Sequence, residues 1–148
     1  MPNDPAKRDA LIKLCNDSAA AHDDELPAVT VERFFDGNDD LGSILCNHPD
    51  HPGLAAVRDQ LIEIRAKPDV QSVLVRIHET MEDESTEDDE GAWPFAEQVL
   101  IATNAPPATV RGWFAEAVTP DDVRPASAGE LRLMSLPRGT AAVVVWWD

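Results

Sequence analysis

Two stretches of the chain alternate with the two-residue period of a β-strand. In residues 71–81, Val73, Val75 and Ile77 share one face, and residues 95–103 alternate in the same way. Apolar residues also occur on the second face of each stretch. The pattern therefore predicts two strands of one sheet, half exposed to water or covered on their second side.

Two amphipathic helices are predicted from apolar residues at helical spacing. The first spans residues 5–21 and begins at Asp4-Pro5, an N-cap residue followed by proline at the first helical position. The second spans residues 53–67 and ends at Lys67-Pro68, because proline disfavours the helical conformation in the residue before it. A further helix is predicted to start at residues 104–107.

The remaining segments complete a predicted α+β fold. Residues 28–35 are rich in β-branched and aromatic side chains and are predicted to form the first strand, and residues 140–147 the last. Residues 119–122 are predicted as a helical turn and residues 124–139 as an irregular linker. Without the first helix, the order is strand, helix, strand, strand, helix, strand. This order predicts a ferredoxin-like split βαβ sandwich, an antiparallel four-stranded sheet with its helices on one face.

Half of the net charge of −16 lies in residues 82–97, which contain no Lys or Arg. The carboxylates of this segment are Glu82, Asp83, Glu84, Glu87, Asp88, Asp89, Glu90 and Glu97. Such an excess argues against binding to nucleic acid or to anionic membranes, since both attract clusters of Lys and Arg. Charge concentrated in one place creates a local field and can select a basic partner.

The predicted topology brings a second acidic segment to the same end of the sheet. Residues 36–52, which follow the first strand, contribute Asp36, Asp39, Asp40 and Asp50. We call residues 36–52 and 82–97 together the acidic pole. Repulsion between like charges acts within about 8–10 Å and is relieved by flexibility, by a bound cation or by a basic partner. The predicted function is a binding or regulatory domain that uses this pole against a basic protein, and a solvated loop without a ligand is the plainer alternative.

A metal site is the alternative function that the sequence suggests. Cys46, His48 and His51 form the densest set of metal-ligand residues in the chain, and a divalent metal is the one cofactor that they suggest. Their spacing matches no zinc motif, and the prolines at 49 and 52 favour a rigid turn that leads into a helix. No catalytic motif is recognised, so the sequence predicts a binding protein rather than an enzyme.

Two aromatic segments have alternative interpretations. Trp93 directly follows the acidic run and either anchors a partner or closes the core at the start of a strand. The terminal strand is apolar on both faces, and Trp146 and Trp147 alternate between them. In the predicted fold this strand lies at the sheet edge, so something must cover it. A second copy of the chain, giving a homodimer, is the predicted cover.

A cytoplasmic location is predicted. No apolar run approaches the length of a membrane span, and the N-terminus lacks the apolar core of a secretory signal. In a reducing compartment the two cysteines, Cys15 and Cys46, are predicted to be free thiols.

Several motifs resemble those of a group of small acidic bacterial proteins of unassigned function. The motifs are Phe34-Phe35-Asp36-Gly37-Asn38-Asp39-Asp40, residues 47–53, Trp93-Pro94-Phe95 and Val145-Trp146-Trp147-Asp148. The resemblance covers about residues 28–148 and implies no activity, cofactor or catalytic residue. It implies that residues 1–26, a helix and linker, are an appendage to a single α+β domain of residues 27–148.

Overall fold

The structure, a computed structural model, describes residues 3–21, 26–47, 50–80, 92–137 and 139–147. The strands are β1 (Ala28–Thr30), β2 (Val70–Glu79), β3 (Phe95–Thr103), β4 (Asp122–Pro125) and β5 (Ala142–Trp146). The helices are α1 (Pro5–Ala21), α2 (Val31–Phe35), α3 (Leu54–Arg65), α4 (Pro107–Arg111) and α5 (Ala128–Leu133). The strands form one antiparallel sheet in the order β1-β2-β3-β5-β4.

The predicted α+β class is confirmed, and α1, α3, β2, β3 and β5 lie close to their predicted positions. The start of α1 has the predicted cap, because the carboxylate of Asp4 accepts hydrogen bonds from the backbone N–H groups of Ala6 and Lys7 at 3.0 and 3.2 Å. Strong periodicity together with clear end signals thus defined these elements correctly.

The sheet does not have the predicted ferredoxin-like order. A split βαβ unit makes its first two strands parallel and separates them by a third, whereas β1 and β2 pair directly and antiparallel, with Ala28 opposite Arg76 and Thr30 opposite Leu74. Two helices, α2 and α3, join β1 to β2 where the prediction had one. The chain consequently enters β2 in the direction opposite to β1.

The predicted first strand is mostly helical. Only residues 28–30 are extended, and the hydroxyl of Thr30 then accepts a hydrogen bond from the backbone N–H of Arg33 at 3.2 Å, which caps α2. Val31, Phe34 and Phe35 are all buried, at spacings that one face of a helix allows. Tertiary packing of this face outweighs the strand preference of its residues.

Residues 124–139 are not an irregular linker. Residues 122–125 form β4, which pairs with the free side of β5, with Val123 opposite Val145. α5 follows and begins with a reciprocal cap between Ser127 and Glu130. Because β5 is hydrogen-bonded to β3 and to β4, the apolar terminal strand lies inside the sheet, and the reason for expecting a homodimer through its edge does not hold.

Both faces of the sheet are covered. The main core lies under α1, α2, α3 and α4 and contains the predicted inward face of β2, with Val73, Val75 and Ile77. A smaller core on the other face lies under α5, where Leu133 and Met134 pack against strand residues of β3 and β5. Helices therefore lie on two faces, where the prediction placed them on one.

α1 packs directly against the rest of the molecule. Its Leu11 and Cys15 are buried in the main core. The backbone N–H of Asp4 donates to the carbonyl of Gly37 at 2.9 Å. Gly37 has φ +83°, and a Cβ there would lie 3.0 Å from Cβ of Asp4, so this position favours glycine. An appendage at residues 1–26 stays a prediction.

Candidate functional site

The acidic loop after α2 is held in one conformation by its own side chains. The carboxylate of Asp40 caps the 3₁₀ turn Leu41–Ser43 by accepting from the backbone N–H of Gly42 at 3.1 Å. The side-chain carbonyl of Asn38 accepts from the backbone N–H of Asp40 at 2.9 Å, and its amide donates to the hydroxyl of Ser43 at 2.9 Å. Residues 38–43 therefore form a rigid turn.

The point at which the acidic run rejoins the fold lies against this loop. The second carboxylate oxygen of Asp40 accepts from the backbone N–H of Trp93 at 3.2 Å. Nearby in sequence, the carbonyl of Ala92 accepts from Nε of Arg8 at 2.7 Å. The predicted proximity of the two segments is thus met at Asp40 and Trp93. The route differs from the prediction, because the helix α2 returns the chain to this end of the sheet after β1. Seven run carboxylates lie outside the described residues: Glu82, Asp83, Glu84, Glu87, Asp88, Asp89 and Glu90.

The loop carboxylates differ in their surroundings. Asp36 is exposed and accepts a hydrogen bond from Nζ of Lys7 at 2.7 Å, and this bond raises the pKa of Lys7. Both carboxylate oxygens of Asp40 accept from backbone N–H groups. Asp39 is exposed and faces the groove described next. The electrostatic contribution of the exposed Lys7–Asp36 pair to stability is small, because water screens it.

A groove of about 460 Å³ lies between residues 38–41 and the first turns of α3. Phe35, Leu41 and Leu54 form its apolar walls, and Asp39 and Arg58 contribute charged groups. Leu41 is 51% exposed and is the single exposed large apolar side chain among the described residues. The sequence did not predict this groove, because residues 31–35, which form α2, were predicted as part of a strand.

The predicted metal ligands have other roles where they are described. Nδ1 of His51 accepts from the backbone N–H of Gly53 at 2.9 Å, which places the ring proton on Nε2, 2.9 Å from the carbonyl of Ile44. Cys46 is exposed, and His48 lies outside the described residues. No three His, Cys, Asp or Glu side chains within the described ranges are grouped to hold a metal ion. The metal site stays a prediction, and His51 fixes the turn before α3.

The two cysteines are free thiols in contrasting surroundings, which gives a direct chemical prediction. Burial raises the pKa of Cys15 to about 12, whereas Cys46 is exposed. Because the thiolate is the reactive form, we expect Ellman's reagent to label one thiol per native chain and both after unfolding in urea. Cys46→Ser should abolish the native labelling. Rapid reaction of both thiols in the native protein would contradict the burial of Cys15.

Trp93 packs in the main core. It is 1% exposed, which agrees with the second of its two predicted roles. Within the described part of the chain its indole N–H has no hydrogen-bond partner. Trp147 is also buried, and its indole N–H donates to the carbonyl of Val118 at 2.9 Å. The contact that the structure describes between Trp93 and the acidic loop is its backbone hydrogen bond to Asp40.

A buried ion network on the second face of the sheet was missed by the sequence analysis. Glu130 of α5 is 3% exposed and pairs with Arg76 of β2 and with Arg124 of β4, whose Nη1 lies 2.8 Å away. Burial alone raises the pKa of Glu130, but hydrogen bonds from Arg124 and Ser127 outweigh it and lower this pKa to about 2. The Ser127-x-x-Glu130 spacing is a capping-box signal that was open to detection in the sequence.

None of the helices in the described ranges is both long and apolar enough to cross a membrane. Comparison with known proteins gives one curated relative, "Uncharacterized protein YfbO" of Escherichia coli (strain K12). It is 32% identical over 124 residues, which cover 82% of this chain and 83% of the relative. No solved structure matches the chain.

The family comparison covers nearly the whole chain. The model described as "Uncharacterized protein YfbO family" matches residues 6–145, a range that spans the fold from the second residue of α1 to the last but one of β5. This match and the curated relative confirm the resemblance to a bacterial group of unassigned function. The chain belongs to the YfbO family of uncharacterised proteins.

Proposed function

We propose that the protein is a non-enzymatic binding or regulatory domain that uses its acidic pole against a basic protein partner. The observation that carries this proposal is the hydrogen bond between the backbone N–H of Trp93 and the carboxylate of Asp40, at 3.2 Å. It holds the chain just after the acidic run against the acidic loop. Residues 36–57 contain no Lys or Arg, while Lys7 and Arg8 of α1 contact Asp36 and the carbonyl of Ala92 at this junction.

Concentrated charge acts mainly on the rate of encounter. A surface of one sign raises the association rate with an oppositely charged partner by about 10- to 1,000-fold at low salt, and salt screens the effect. The described contacts that hold the loop use Asp36 and Asp40 within the protein. We therefore assign the electrostatic attraction of the partner mainly to the acidic run, which has seven carboxylates in residues 82–90.

A charge-matched pair of variants tests this proposal by affinity purification and mass spectrometry at low and high salt. The run variant carries Glu87→Gln, Asp88→Asn, Asp89→Asn and Glu90→Gln. The control variant carries Glu63→Gln, Asp69→Asn, Glu116→Gln and Asp122→Asn, all at exposed positions away from the loop. We expect the native protein and the control variant to retain the same basic proteins at low salt and the run variant to lose them. Identical capture by all three proteins would refute the proposal.

A further inference from the structure

We infer that the groove between residues 38–41 and the start of α3 receives an apolar side chain of a basic protein segment. The partner segment then combines Lys or Arg with a neighbouring Leu- or Phe-like residue. This inference rests on the proposed function. The acidic pole attracts the Lys and Arg residues of the partner, and the groove adds recognition of an apolar residue beside them.

The groove is formed before any ligand binds. Its outer wall is the turn of residues 38–43, which is fixed by hydrogen bonds of Asn38 and Asp40 with backbone and side-chain groups 2.9–3.2 Å away. Its opposite wall is the first turns of α3, which begin at Leu54 next to the turn held by His51. A preformed site loses little conformational entropy on binding, which favours affinity.

The walls offer apolar surface that the fold leaves uncovered. Leu41 is 51% exposed although the turn that carries it is rigid, and it lines the groove together with the partly buried Leu54 and the buried Phe35. A single exposed leucine is ordinary on a protein surface, but one that forms the wall of a concave site offers a contact area for another apolar group. An apolar side chain that enters here buries surface on both walls.

The charges around the groove favour a cationic neighbour for that side chain. Asp39 lines the groove, and the loop of residues 36–52 contains no Lys or Arg. Arg58, the cation on the α3 side, has its Nη2 3.2 Å from the carboxylate of Asp59. The charge of Arg58 is thus partly compensated, whereas Asp39 supplies the negative charge of the lining. A segment that presents Lys or Arg next to an apolar residue matches both features.

Two peptides of equal charge test the inference by isothermal titration and by NMR of the labelled full-length protein. The first is a nine-residue lysine peptide with phenylalanine at its centre, and the second has alanine there. We expect the phenylalanine peptide to bind about tenfold more tightly, since burial of an aromatic ring is favourable by that order. We also expect it to shift the amide resonances of Leu41, Gly42 and Ala55.

Substitutions on the two walls provide the matched controls. Ala55→Gln fills the groove from the exposed first turn of α3, whereas Ala56→Gln places the same side chain at an exposed neighbouring position that does not line it. We expect Ala55→Gln and Leu41→Ser to abolish the preference for the phenylalanine peptide and Ala56→Gln to preserve it. Equal binding of the two peptides to the native protein would overturn the inference about the groove and leave the proposed function standing. Binding of neither peptide overturns the proposed function and this inference with it.

Discussion

Replacement of Glu130 by glutamine is expected to lower the free energy of unfolding by about 3 kcal/mol, because it removes a buried carboxylate that pairs with both Arg76 and Arg124. Arg76 is 8% exposed and pairs with this carboxylate across the junction of α5 and the sheet. Glutamine preserves the size of the side chain, so the loss of stability reflects the missing charge and not a cavity. Urea unfolding at neutral pH measures the effect.

The same variant should change the pH dependence of stability. The pKa of Glu130 is lowered to about 2 in the folded protein, below its unfolded value of 4.5. Its contribution is therefore fully present above about pH 4.5 and is lost as the pH falls towards 2. The difference in stability between native protein and Glu130→Gln should shrink over this range. Glu63→Gln on the exposed side of α3 serves as the control and should change stability by less than about 0.5 kcal/mol. A pH-independent difference would show that the ion network is not responsible.

Leu11→Ala is expected to lower the free energy of unfolding by about 2–5 kcal/mol, as is typical when a buried leucine is truncated. Leu11 is 3% exposed and belongs to the main core although it lies in the N-terminal helix. If α1 is part of the cooperative unit, the whole molecule should unfold at lower urea in a single transition.

Leu41→Ala is the matched control, because it removes the same atoms from a side chain that is 51% exposed. We expect it to change stability by less than about 0.5 kcal/mol. Equal and small effects of the two substitutions would mean that α1 unfolds separately, as the predicted appendage at residues 1–26 requires. A large effect at Leu11 alone would assign α1 to the same folding unit as the sheet.

The elements that the sequence predicted well are those with long, regular patterns. β2 and β3 alternate over nine or ten residues, and α1 and α3 have apolar stripes with proline or a cap at an end. Short elements carry too few periods for this kind of inference. α2 and α5 contain five and six residues, and β4 contains four. Their conformations depend on tertiary contacts, such as the packing of Phe34 in the core, that a local pattern does not contain.

The candidate site was predictable in part. The sequence located the acidic loop and predicted that it approaches the acidic run, and the contact between Asp40 and Trp93 agrees with that. The route was wrong, because the prediction lacked α2. The groove and the ion network of Glu130 were missed for a different reason: each is formed by residues far apart in the chain. Leu41 and Leu54 line the same groove, and Arg76 of β2 pairs with Glu130 of α5.

The position of β5 between β3 and β4 has a consequence for how the molecule opens. β4 joins the sheet through β5 alone, and α5 is covalently continuous with both of these strands. Detachment of β5 from β3 therefore releases β4, α5 and β5 together and uncovers the smaller core at Leu100 and Ala102 in the same event. We therefore expect the backbone amides of β4, α5 and β5 to exchange as one subglobal unit, which the Arg76–Glu130 ion pair links to β2.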